Sequence, residues 1–274
     1  MAFALDSKKM FLLAMLILSF TVSTFAQEAL WKELNSKASN LSQRGRYSEA
    51  AKVAEEALTV AEKTFGPDHP YVATSLNNLA SVYHDQGKYA EAEPLYKRSL
   101  AISEKALGKN HPEVATSLNN LAGLYQDQGK YAEAEPLYKR SLAIREKALG
   151  PDHADVGASL NNLALLYDYQ GKYAEAEALY KQALKIVEKV LGKNHPHVAG
   201  SLNNLAGLYQ AQGKYAEAEP LHKRSLTICE KSFGPNHPNV ATVCENMAKC
   251  YKALGKNAEA EMLETRARKI RSGR

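Results

Sequence analysis

The sequence predicts an all-α fold, an α-solenoid of six stacked helical hairpins. Three observations carry that prediction. Nearly the same wording recurs from His69, His111, His153, His195 and His237, and Gly45, Gly87, Gly129, Gly171, Gly213 and Gly255 mark one period each. A fixed period of this size is the signature of a repeat architecture. Within a unit, apolar residues recur twice at helical spacing, first as Val114, Leu118, Leu121, Ala122 and Tyr125, then as Tyr131, Ala134, Leu137, Tyr138, Leu142 and Ile144. Between the two runs, Gln128-Gly129-Lys130 leaves room only for a tight turn.

Taken in order, residues 1–26 stand outside the repeat. Lys8 and Lys9 precede the apolar run Met10 to Phe20, and Thr21 to Ala26 is small and polar. These are the three parts of a secretory signal peptide, with a cut expected between Ala26 and Gln27. The run is too short to span a bilayer comfortably. The expectation is an exported chain, periplasmic or secreted, with no stable membrane anchor after cleavage. The solenoid is expected over 27–271, with hairpins at about 28–66, 70–108, 112–150, 154–192, 196–234 and 238–271, and a basic end at 272–274. In hairpin one, Leu34, Ala38, Leu41, Tyr47, Ala50 and Ala54 keep the core positions, while Lys37 replaces a leucine. That suits a terminal unit with one face in water. The first helix of later hairpins should start at the proline of His-Pro, where a missing N–H costs nothing, and the second should end at Leu-Gly. Pro94, Pro136 and Pro220 fall early in their helices, where a proline is cheaper than in the interior. The last hairpin breaks the wording at Cys244, Glu245, Met247 and Cys250 and reads as a closing cap.

Leu121, Ala122, Tyr125, Gly129, Tyr131, Ala134, Tyr138 and Leu142 fall at the spacing of the tetratricopeptide repeat (TPR) signature. The period of 42, the paired asparagines of SLNNLA and the EKALGKNHP connection resemble the variety in kinesin light chains and their bacterial relatives. The resemblance covers about residues 30–270. It implies a right-handed superhelix whose first helices line a concave groove, and a role in binding protein or peptide partners. An exported bacterial relative fits the leader.

Composition adds little. The 274 residues are 45% hydrophobic and 24% charged, an ordinary folded composition. Formal net charge is +5, and Arg266, Arg268, Lys269, Arg271 and Arg274 supply five positives by themselves, so the repeats are near neutral and no nucleic-acid partner is expected. Cys229 and Cys244 could pair in an exported protein or remain buried thiols, and the sequence leaves both open.

No residues form a catalytic constellation, and no catalytic site, cofactor or metal is expected. The recurring histidines sit in stacked hairpins about 10 Å apart, too far to share an ion. Only His195 and His197 are close. Tyr83, Tyr125, Tyr167, Tyr209 and Tyr251 read as packing between helices, and Glu133 and Glu135 as solvated carboxylates near a helix start.

The asparagines point to function. Asn35, Asn77, Asn119, Asn161 and Asn203 occupy one register of the first helix, a place on the groove in the resembled fold, with Glu245 in the sixth hairpin. Each offers one acceptor and two donor hydrogens without charge, which matches the main chain of an extended peptide. The neighbouring Asn78, Asn120, Asn162, Asn204 and Asn246 sit about 100° further round and read as structural partners between adjacent helices. One turn along, Asp127, Asp168, Tyr169 and Gln210, together with Leu165, vary between units and should set selectivity, with an apolar patch near Leu165 and Tyr169. The reading is a non-enzymatic scaffold binding an extended segment of a partner protein. The alternatives are a cytoplasmic cargo adaptor of the kinesin light chain kind and a scaffold that self-associates.

Overall fold

Each first helix from the second hairpin onward opens on the same device. In the computed structural model, which describes residues 7–273, Pro70, Pro112, Pro196 and Pro238 occupy first helical positions and Ala154 takes that place in the fourth hairpin. The histidine before each is extended, and its Nδ1 accepts the backbone N–H two residues on, at 3.1 to 3.3 Å. An imidazole thus does the work usually given to Ser or Asp, satisfying one orphan donor of the first turn.

The turn inside the hairpin has an equally local cause. Gly87 takes φ +72°, a left-handed conformation that a side chain would strain, and Lys88 N–H then reaches back to Tyr83 O at 2.9 Å. Gly108 ends the second helix differently, at φ +88° and ψ 151°, with its own N–H still bonded to Glu104 O at 3.1 Å.

The helices so bounded are α1 (Ser7–Gln43), α2 (Tyr47–Phe65), α3 (Pro70–Asp85), α4 (Tyr89–Leu107), α5 (Pro112–Asp127), α6 (Tyr131–Leu149), α7 (Ala154–Tyr169), α8 (Tyr173–Leu191), α9 (Pro196–Ala211), α10 (Tyr215–Phe233), α11 (Pro238–Ala253) and α12 (Asn257–Arg271). No strand occurs among the described residues. They fall into two compact units, 1–128 and 129–274. In the first, hairpins α1/α2 and α3/α4 stack and α5 packs on α4. In the second, α6 packs on α7, and hairpins α7/α8, α9/α10 and α11/α12 stack in order. The all-α reading and the helical hairpins hold.

The core is a repeated layer. α3 buries Val72, Leu76, Leu79 and Ala80, and α4 answers with Ala92, Tyr96 and Ile102. A fully buried Leu or Ile contributes about 1.5–3 kcal/mol. Ser99 Oγ also donates to Ala73 O at 2.7 Å, and Ser225 repeats the bond to Ala199 O at 2.8 Å, tying each second helix to the backbone of its first. Gly157 permits a close approach: a Cβ there would meet Val187 Cγ2 at 2.9 Å, so the bulky Val187 on α8 is matched by a missing side chain on α7.

Hairpin one departs from expectation in detail. Leu34, Ala38, Ala50 and Ala54 are buried, but Leu41 is half-buried and Tyr47 lies exposed at the start of α2, as Tyr173 does at the start of α8. Trp31 was not anticipated as core. It is buried, stacks on Tyr71 at 4.2 Å and donates its indole N–H to Ser75 Oγ at 2.7 Å. Helix α1 continues without a break through Ala26 and Gln27, and Glu28 already accepts from Tyr71 Oη at 3.1 Å. The first six residues of the expected leader lie outside the described residues, as do its side chains before Thr24. Among the described residues no helix is long and apolar enough to cross a membrane.

Candidate binding face

Within each unit the first helices of successive hairpins touch, α1 with α3 and α3 with α5, then α7 with α9 and α9 with α11. That contact brings the asparagine pairs together. All ten are half-buried. In the first unit Asn78 Nδ2 donates to Asn35 Oδ1 at 2.7 Å and Asn120 Nδ2 to Asn77 Oδ1 at 3.1 Å. In the second, Asn246 Nδ2 donates to Asn203 Oδ1 at 3.3 Å. The second asparagine of a pair therefore bridges adjacent helices, and it does so by occupying the carbonyl of the first. What a rung keeps for a ligand is chiefly amide hydrogen, since an Asn nitrogen carries two. Asn35 uses one on Trp31 O at 2.7 Å. Asn119 uses one on Asn120 Oδ1 at 3.5 Å. Asn161 differs: its amide turns to Ser201 Oγ at 2.9 Å, and its carbonyl is buried without a partner.

The second row of expected site residues is more committed to the fold. Asp127 is held by His84 Nε2 at 2.7 Å, and Asp85 accepts from Ser42 Oγ at 3.0 Å. Gln210 spends both ends of its amide, donating to Asn246 O at 3.0 Å and meeting His222 Nε2 at 3.1 Å. Burial raises the carboxyl pKa of half-buried Asp168. Leu165 is half-buried against the cluster of Ala164, Ala176, Tyr180, Leu205 and Leu208, so the patch expected with Tyr169 is carried by the tyrosine. Tyr169 is 57% exposed and lies parallel to Tyr131 at 6.1 Å.

The glutamates at the start of the second helices have a role the sequence reading missed. Glu93, Glu135 and Glu177 accept from the phenols of Tyr125, Tyr167 and Tyr209 at 3.1 to 3.2 Å, each tyrosine being on the next first helix. Each also holds a lysine one turn along its own helix, at 2.6 to 2.7 Å. Glu135 adds Gln170 and Lys172, and its pKa falls to about 2, with the Lys139 hydrogen bond the largest cause. Glu219, between Lys223 and Lys256, is likewise held at about 2. Carboxylates so firmly ionised clasp one hairpin to the next and are poor proton donors near neutrality. A Glu with Lys four residues on and Tyr thirty-two on was the available signal.

The second unit also holds a cavity of about 710 Å³ on the faces of α7 to α11, reaching Asn161, Asn203 and Asn204. His195 and His197 stack at its edge, 5.2 Å apart. Gly200 lines it where the equivalent residues of three other hairpins are Thr74, Thr116 and Thr242. Cys229, Cys244 and Cys250 are free and buried, and burial pushes all three thiols up. Two of the terminal arginines form ion pairs, Arg266 with Glu230 at 2.5 Å and Arg271 with Glu245 at 3.1 Å. Among the described residues no group of three His, Cys, Asp or Glu side chains is placed to hold a metal ion.

Comparison with known proteins fits this geometry. A family model described as "Tetratricopeptide repeat" matches residues 28–105, 72–147, 113–189, 170–206 and 197–272. Among solved structures, the "Podosopora anserina putative kinesin light chain nearly identical TPR-like repeats" are 33% identical, with a TM-score of 0.60, covering 75% of this chain and 97% of that one. BtubC (BKLC) from P. vanneervenii is 25% identical with a TM-score of 0.64, covering 89% of this chain and 91% of that one. Aspartyl phosphate phosphatase F from Bacillus subtilis, at 13% identity and a TM-score of 0.63 over 93% and 74% of the two chains, shares the fold alone. None of the curated proteins compared matches the chain.

Proposed function

The chain belongs to the tetratricopeptide repeat family, with kinesin light chain-like relatives, and on that premise we propose that it is a non-enzymatic scaffold holding an extended segment of a partner protein. The TPR scaffold fold is consistent with protein–protein interaction. The observation that carries the finer reading is the row of uncharged, half-buried amides at one register of the first helices, in which Asn35, Asn77 and Asn203 are anchored through their carbonyls by an internal bond that leaves the amide nitrogen as the donor. Packed helices stand about 8–10 Å apart and an extended chain advances about 3.3 Å per residue, so successive rungs meet every third residue of a ligand. Internal bonding makes the rungs rigid, which lowers the ordering cost of binding. In each unit, main-chain carbonyls of the ligand accept from these amides, and Asp127, Asp168 and Tyr169 bias the choice of side chains.

Peptides selected from a random-peptide display library on the full chain test this. The variant Asn77→Ala, Asn119→Ala, Asn203→Ala should bind them at least ~10-fold more weakly, about 1.4 kcal/mol, while its circular dichroism stays helical. Undiminished binding overturns the reading.

The leader ahead of the first hairpin supports export, to the periplasm or beyond. N-terminal sequencing of the protein from its native cells should begin at Gln27. A start at Met1 would favour the cytoplasmic cargo adaptor that the kinesin light chain likeness suggests.

A further inference from the structure

We propose that the cavity in the second unit is an anchor site for an uncharged stretch of the bound segment: one aliphatic side chain enters it, while the flanking main-chain N–H and C=O pair with Asn161 and Asn204. The proposal rests on the extended-segment reading and adds to it a place and a chemistry.

Size comes first. At about 710 Å³ the cavity falls within the ~300–1,000 Å³ typical of ligand sites. Its lining then limits what enters. Val187, Leu191, Ala199 and Val243 are the apolar part of the lining beside the amides, no lysine or arginine lines it, and its one carboxylate, Asp155, is mostly exposed to solvent. A charged side chain would lose its water there and gain no buried counter-charge.

The strongest indication is an interrupted rung. In the three asparagine bridges seen within the units, the second asparagine of one hairpin donates to the first of the hairpin before it. Between α7 and α9 this bond is missing. Asn161 has turned its amide to Ser201, and its carbonyl is buried with no donor, although Asn204 stands in the bridging position. A buried acceptor without a partner is unfavourable, and a peptide N–H would satisfy it once the amide turns from Ser201. Asn204, released from the bridge, has hydrogens for the adjoining carbonyl. The interruption coincides with the loss of bulk: Gly200 and Ala158 replace the threonines of other hairpins, and a Cβ added at Gly200 would meet nothing within 4 Å.

Gly200→Leu supplies the test, because Gly200 lines the cavity, a Cβ there meets nothing within 4 Å, and leucine is the better helix former. The library-selected peptides are measured on the full chain by calorimetry. They should share an uncharged stretch with an aliphatic residue, lose at least ~10-fold in affinity for Gly200→Leu, and lose about as much when that residue is changed to glutamate or lysine. Equal affinity for the wild type and Gly200→Leu, with loss in the triple asparagine variant, overturns the anchor and leaves the groove reading standing. Selected peptides that depend on a charged residue overturn the assigned chemistry. Failure to select any peptide overturns both.

Discussion

At the residue scale, His222 is the position where one side chain changes the behaviour of the fold. It replaces the buried tyrosines Tyr96, Tyr138 and Tyr180 of the other hairpins, is 0% exposed, and has no partner at Nδ1. Burial pushes its pKa down from 6.5 to about 4. The unfolded chain then binds the proton more tightly than the fold does, so stability falls as pH drops through 6.5 and stops falling near 4. Between pH 7 and pH 5 the loss should be about 2 kcal/mol, read from urea midpoints at the two pH values. Glu135 and Glu219 do not contribute in that window, since carboxylates held near 2 keep their full stabilisation above 4.5. His222→Tyr should remove most of the difference. An equal pH response in the variant would show that the imidazole is not its source. A histidine in the tyrosine column was visible in the sequence; its neutrality was not, because desolvation is a property of the packed neighbours.

At the element scale, the histidine caps explain why helix starts were legible. Pro at the first helical position and the extended residue before it are local features, and the structure places the start of α5 at Pro112 and the end of α6 at Leu149. The cap itself was not foreseen, since imidazole is an uncommon acceptor there. His111→Ala should destabilise the protein by about 1 kcal/mol in chemical denaturation, whereas His111→Asn should cost much less. Equal losses for the two would mean that the ring acts by packing. The clasp from Glu93, Glu135 and Glu177 to the next tyrosine was illegible for a different reason: it joins residues thirty-two apart, and helical periodicity reports only on neighbours three and four apart.

At the scale of the whole molecule, a repeat protein is held by nearest-neighbour faces, so an end cap matters beyond its own residues. In the second unit α11 and α12 cover a cluster containing Val198, Leu202, Ile228 and Cys229. Truncation after Gly234 should expose that apolar layer. The shortened chain should melt at least ~5 °C lower in circular dichroism or lose solubility, the expected result of losing several kcal/mol of burial. An unchanged midpoint would mean that each hairpin stands alone. The basic end belongs to this closure as well, because Arg266 and Arg271 reach back to Glu230 and Glu245 of the preceding elements.

The sequence by itself determined the elements and their order, because a helix is written in residues three and four apart and a turn in a single glycine. The candidate binding row could be located for the same reason, since one register repeats with the period. Only the tertiary structure decided which hydrogen-bonding groups of that row remain open. Whether Asn77 Oδ1 is free or taken depends on Asn120, 43 residues away, and Asn161, which lines a cavity, turns its amide to Ser201, 40 residues away. Hydrogen bonds saturate, so the availability of a group is fixed by what packs against it and not by what it is.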